Sequence, residues 1–207
     1  MSNAAFIPYS GMRLAASVAG LAGSVFLASC MPSPTSMAIG VGAIVAVKAS
    51  EERGLVTSVT DDRIWTEINA RWLDDDAVMF EKLQLQVHEG RALVSGIVQK
   101  PAMRVAAVRI AWQVDGVKEV IDEIKIAEPD DVGDKIQDLW IVQELRGRLL
   151  VDRKVRAINY SIESVKGTIY LMGIAQNAAE LQRVIDHARD IAYVKRVVSY
   201  VRIKDAA

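Results

Sequence analysis

Cys30 is the chain's only thiol, and it stands at the end of an apolar run. Residues 14–27 read LAASVAGLAGSVFL, with Arg13 before them and Ala28, Ser29 and Cys30 after. A basic start, a short apolar stretch and small residues before a cut site make a secretory signal. With no second cysteine for a disulfide, the folded part must stand on its own core. Other reactive groups are sparse. The two histidines, His88 and His187, are read as solvated or packed side chains. Cys/His spacings that hold a metal are missing, as are nucleophile-elbow, phosphate-loop and dinucleotide patterns. Asp74, Asp75 and Asp76 form a carboxylate run, read as a solvated helix end. The expectation is a protein that is not an enzyme, with no catalytic residue, metal or cofactor.

Leu27, two small residues and Cys30 resemble the lipobox of bacterial lipoproteins. That resemblance implies cleavage before Cys30, a thioether link to diacylglycerol and N-acylation. Each buried methylene is worth about 0.8 kcal/mol, so several chains anchor stably. The alternative is a transmembrane helix over residues 14–30, about 17 residues and so at the low end for a span. Met12 is an alternative start to Met1. In the lipoprotein class an Asp after the cysteine retains the protein in the inner membrane. Met31 stands there instead, which favours the outer membrane, facing the periplasm. Residues 1–30 are thus read as signal peptide and residues 31–60 as a flexible tether. Within the tether, the apolar stretch MAIGVGAIVAV is too short to cross a bilayer.

Non-covalent binding chemistry concentrates toward the C-terminus. The whole chain carries a net charge of −1. Residues 61–126 hold 9 Lys+Arg against 12 Asp+Glu, whereas residues 134–204 hold 13 against 8. The basic excess includes Arg146, Arg148, Arg153, Lys154 and Arg156, with Trp140 nearby. Each cation near an anionic lipid surface contributes about 1 kcal/mol, and Trp suits a membrane interface. Three readings of Trp140 stand: lipid contact, packing against the other module or the linker, or idle exposure. Trp65 is read as core. Nucleic acid is not an expected partner, since no groove-binding motif accompanies the charge.

The elements that position these residues come from a duplication. Residues 61–126 align with 138–203 without a gap at an offset of 77. The pairs include Asp61/Asp138, Ile64/Ile141, Arg71/Arg148, Asp75/Asp152, Gly90/Gly167 and Gly96/Gly173. Each copy is expected to open with a helix capped by Asp61 or Asp138, with a core face of Ile64, Ile68 and Trp72 or Ile141, Leu145 and Leu149. A β-hairpin follows, turning at Glu89-Gly90 or Lys166-Gly167 and ending at Gly96 or Gly173. A second helix buries Val105, Val108 and Trp112, or Leu181, Ile185 and Ala188. The last strand covers residues 117–126 or 194–203. The fold class is α+β: two tandem αββαβ modules, residues 61–126 and 138–204, joined by a linker over 127–137. Each is a three-stranded sheet with two helices on one face.

The opening helix with its acidic start, residues 90–96, and the later Gly116-Val117-Lys118-Glu119-Val120 together resemble the BON domain, and the second copy repeats the set. Lipobox, Gly/Ala-rich tether and two modules resemble the dual-BON outer-membrane lipoproteins of Gram-negative bacteria, the DolP-like group. The resemblance implies a non-enzymatic periplasmic protein tied to envelope integrity and envelope stress, whose second module binds anionic phospholipid. An adaptor for envelope or cell-division proteins is the alternative. One departure stands out: Gly116, one of the expected turn glycines, is replaced by Tyr193 in the second copy.

Overall fold

The computed structural model describes residues 55–127 and 132–204. The signal segment, Cys30, the tether up to residue 54 and residues 128–131 lie outside the described residues. The first module runs α1 (Leu55–Asp75), α2 (Ala77–Lys82), β1 (Leu83–His88), β2 (Arg91–Val98), α3 (Pro101–Trp112) and β3 (Glu119–Ile126). The second runs α4 (Val132–Val151), a 3-10 turn (Ala157–Asn159), β4 (Tyr160–Val165), β5 (Thr168–Ala175), α5 (Ala178–Arg189), β6 (Arg196–Ser199) and β7 (Arg202–Ile203). In each sheet the hairpin is antiparallel and the central strand pairs in parallel with the last one. The α+β duplication is therefore as expected. In the second copy the third position is filled by two short strands, β6 and β7, both paired to β5.

The opening helices bury the expected face. Ile64, Ile68 and Trp72 are fully covered, as are Ile141 and Leu145. The Trp72 indole N–H also donates to the carbonyl of Ala107, 3.2 Å away, tying α1 to α3. Asp61 and Asp138 are not N-caps, because both helices start at least six residues earlier. Each aspartate instead reaches across to the hairpin. The backbone N–H groups of Glu89 and Gly90 donate to Asp61 at 2.8 Å. Those of Lys166 and Gly167 donate to Asp138 at 2.6 and 2.8 Å, and Ser164 Oγ adds a third bond at 2.6 Å. A two-residue hairpin with positive φ at both turn positions leaves its N–H groups pointing out of the ladder. A buried carboxylate satisfies them.

Three further expectations are corrected. On α3 the buried residues are Ala107, Ile110 and Ala111, while Val105 and Trp112 are 67% and 52% exposed. Two alanines let the helix sit close on the sheet, and they rotate Val105 and Trp112 outward. Trp65 is not core: it is nearly half exposed, and its indole N–H donates to the Leu85 carbonyl on the edge of β1 at 3.1 Å. The last strands begin at Glu119 and Arg196, two residues late, and in the second copy the strand breaks at Tyr200 and Val201. Gly96 and Gly173 are required by close approach. A Cβ at either would collide with the carbonyl of Lys82 or Asn159.

The sheet faces turned away from the helices meet each other. Leu93 and Ile97 of the first module pack with Val165, Tyr170 and Met172 of the second. The molecule is thus layered helix, sheet, sheet, helix, with β2 and β5 covered on both faces. Repeat-equivalent residues meet across the junction: the Tyr200 hydroxyl donates to Glu123. Lys125 reaches Thr168, and its equivalent Arg202 reaches Glu89 at the mirror-image turn. Among the described residues the three apolar clusters fall within residues 64–201, so a fragment spanning 51–207 contains each of them.

Candidate functional site

Helix α4 is apolar on two opposite faces. Ile141, Val142, Leu145 and Leu149 fill the core. At about 100° per residue, the opposite side carries Ile136, Leu139, Trp140, Gln143, Gly147, Leu150 and Val151. All of these except Gln143 and Gly147 are large exposed hydrophobics; Leu150 and Val151 exceed three-quarters exposure. The outward strip holds no charge from residue 136 to 151, a run of about 22 Å at 1.5 Å per residue. Gly147 meets nothing on its open side, so the strip is shallow at its middle. A soluble helix that keeps its outer face apolar departs from the one-sided pattern of a surface helix. Such a patch marks an interaction surface.

Trp140 stands at the N-terminal half of this strip. Its ring meets Tyr193 edge-on, with centroids 6.0 Å apart and planes at 76°. Tyr193 is 65% exposed and has φ of 69°, a left-handed conformation that a bulky residue adopts at a cost. In the first module the equivalent pair is Arg63 and Gly116, and Arg63 donates to Glu67 and to the Asp115 carbonyl. The second module holds a strained aromatic where the first holds a relaxed glycine. Trp140 therefore belongs neither to the core nor to the junction between modules.

The basic residues divide. Arg146 is exposed on the flank of the strip. Arg153 and Lys154 are exposed in the turn beyond the C-terminal end of α4. Arg156 is exposed as well, and its backbone N–H donates to Glu180. Arg148 is committed elsewhere, bonded to Glu144 and Asp190 at 2.8 Å each. The structure thus brings Trp140 and Arg146 together on one helix, sets Arg153, Lys154 and Arg156 past its end, and removes Arg148. Sequence reasoning missed Ile136, Leu139, Leu150, Val151 and Tyr193. The signal was present for four of them, as apolar residues on the helix face opposite the core.

Among the remaining polar groups, Asp152 forms the tightest cluster. It holds His187 Nε2 at 2.8 Å and Arg183 at 2.6 Å, and accepts from the Lys154 backbone N–H. The His187 bond first, then the Lys154 N–H and Arg183, keep its carboxyl well below the usual carboxylate range. This arrangement locks α4 to α5 and includes no nucleophile. His88 is buried on β1. Asp76, from the carboxylate run, caps α2 by accepting from the Val78 N–H at 2.8 Å. Among the described residues no group of His, Cys, Asp or Glu could hold a metal ion, and no helix is long and apolar enough to cross a membrane.

Comparison with known proteins places these features in context. The family model for the BON domain matches residues 60–128 and again 137–205. An uncharacterized protein of Anaplasma centrale, described from a gshII 5' region, is 39% identical over 127 residues, covering 61% of this chain and 84% of its own. The outer membrane lipoprotein DolP of Haemophilus influenzae is 25% identical over 187 residues, 89% of this chain and 94% of that one. A 21 kDa hemolysin of Actinobacillus pleuropneumoniae is 28% identical over 149 residues, 69% and 75% of the two chains.

Proposed function

Because the chain belongs to the BON-domain family, we propose that it is a non-enzymatic, lipid-anchored envelope protein whose second module docks on anionic phospholipid and which helps maintain envelope integrity. The observation that carries this reading is the uncharged apolar strip on α4 with basic side chains at its flank and end. Trp140 and Tyr193 supply aromatic rings suited to the headgroup level. Arg146, Arg153, Lys154 and Arg156 supply the attraction to negative lipid, at about 1 kcal/mol each near the surface. An acylated Cys30 would hold the chain at the membrane, and the α4 strip would seat the second module on the lipid. The first module, net acidic and with Asp62, Arg63 and Asp74 interrupting the matching face, acts as support. An outer-membrane site fits the name of the DolP relative, and the docking surface would face the periplasm.

Co-sedimentation of a 51–207 fragment with vesicles tests the reading. Binding to phosphatidylglycerol vesicles should exceed binding to phosphatidylcholine vesicles and fall when Trp140 becomes Ala. Equal binding to both vesicle types, or no change with Trp140→Ala, would overturn it. A second reading, an adaptor for envelope or division proteins, draws on Val105 and Trp112, exposed on α3 of the first module. It predicts a lipid-independent complex that Trp112→Ala weakens and Trp140→Ala leaves intact.

A further inference from the structure

A cleft of about 640 Å³ lies where the two modules meet. Its walls are the edge strands β1 and β4, with Trp65 on one side and Arg146, Leu150 and Ile158 on the other. Strand direction decides what these edges present. In a hairpin with a two-residue turn the closing pair is hydrogen-bonded and the pairs alternate from there. His88–Arg91 closes the first hairpin, so Leu85 turns its backbone N–H and carbonyl outward. The bond from Trp65 to the Leu85 carbonyl agrees. By the same count, from Val165–Thr168, Ile162 turns its N–H and carbonyl outward from β4. The residue equivalent to Trp65 is Val142, which has no donor, so β4 lacks the cap that β1 has.

Gln86 supplies the second observation. Both polar atoms of its carboxamide are buried without a hydrogen-bond partner among the described residues, and the residue lines this cleft. A buried amide left unpaired on both its donor and its acceptor side is costly. It complements a ligand that offers one acceptor and one donor together, which is the pattern of a peptide bond. Its repeat equivalent, Glu163, lines the same wall, and burial pushes that carboxyl up to about 7. In its neutral form it is a further donor. Arg146 places a cation over the same wall.

We propose that this cleft is a peptide-binding site, in which an extended segment adds to the free edge of β4 at Ile162, presents a backbone amide to Gln86 and an acidic side chain to Arg146. This is strand addition, where main-chain bonds give affinity and side-chain pockets give selectivity. Trp65, Leu150 and Ile158 are the apolar surfaces for its alternate side chains. The site is distinct from the membrane strip, although Arg146 and Leu150 border both.

The test uses the 51–207 fragment and a bead-bound library of short acetylated peptides with alternating apolar residues and one Glu or Asp. Acidic members should retain the protein, and N-methylation of alternate backbone amides should release it. Gln86→Leu should weaken retention about tenfold, while unfolding at the same or higher denaturant and sedimenting with anionic vesicles as the wild type does. Arg146→Glu should abolish the preference for acidic peptides. No retention above the Arg146→Glu protein would overturn the proposal. So would retention that survives both Gln86→Leu and N-methylation. Because Gln86 lies off α4, loss of peptide retention with vesicle binding intact separates this site from the docking reading.

Discussion

The two modules share one interior and have opposite exteriors. Ile64, Ile68 and Trp72 in α1 fill the same positions as Ile141, Leu145 and Leu149 in α4. Most outward positions diverge: Asp62, Arg63, Thr66, Ala70 and Asp74 stand where the second module has Leu139, Trp140, Gln143, Gly147 and Val151, while Val59 and Leu73 match Ile136 and Leu150. Duplication therefore conserves what packing demands and leaves the solvent face open to a new role. Only the second copy carries an unbroken uncharged strip on the outer face of its first helix; in the first copy Asp62, Arg63 and Asp74 interrupt the exposed Val59 and Leu73. The junction between the copies then fixes where that surface points, since β2 and β5 are buried on both faces.

The strongest way to test the shared interior is through the two latch aspartates. Asp138→Ala should cost about 3 kcal/mol, because it strips a buried carboxylate from three donors. Asp61→Ala should cost about the same order in the first module. Urea unfolding midpoints measure both, and a negligible effect of either would break the claim that the copies are held the same way.

The next contrast is Gln86 against Glu163, equivalent positions at the junction. Burial raises the folded pKa of Glu163 to about 7, above an ordinary Glu near 4.3. The folded state therefore holds the proton more tightly, and stability falls as pH rises from about 4.3 through about 7, by on the order of 3 kcal/mol. Glu163→Gln makes the two copies alike at this position and should flatten that slope in pH-dependent denaturation. A slope unchanged by the substitution would contradict the assignment.

Trp140 against Arg63 sharpens the comparison of exteriors. Trp140→Ala should lower vesicle affinity about tenfold, near 1.4 kcal/mol, while shifting the unfolding midpoint little, since the ring is 44% exposed. Arg63→Ala should leave vesicle affinity unchanged. The smallest effect is expected at Asp152, whose equivalent Asp75 is exposed. Its depressed carboxyl contributes stability that is present above the unfolded carboxylate value and lost as pH falls below it. Asp152→Asn should flatten the acid limb of a stability-versus-pH curve.

Much of this was legible in the residues. The offset of 77, the hairpin turns and the core face of each opening helix all follow from spacing. What failed did so for physical reasons. Asp61 and Asp138 looked like caps because an aspartate before an apolar period is a helix-start signal. Their partners are two turn amides 28 and 29 residues away, which no local pattern reveals. Trp65 looked like core because Ile68 and Trp72 lie along its stripe, yet an indole N–H can instead cap a strand edge. On α3 the small Ala107 and Ala111 face the sheet, so the larger Val105 and Trp112 misled. The outward strip of α4 was half seen: Trp140 was singled out, but once one apolar face is assigned to the core, the opposite face is easily taken as polar.

The most direct measurement is quenching of Trp140 fluorescence by brominated lipid. With the 51–207 fragment, vesicles containing brominated phosphatidylglycerol should quench the wild type well beyond Trp140→Phe, and brominated phosphatidylcholine vesicles should quench both weakly. Equal quenching of wild type and Trp140→Phe, or equal quenching by neutral vesicles, would contradict docking of the second module through α4.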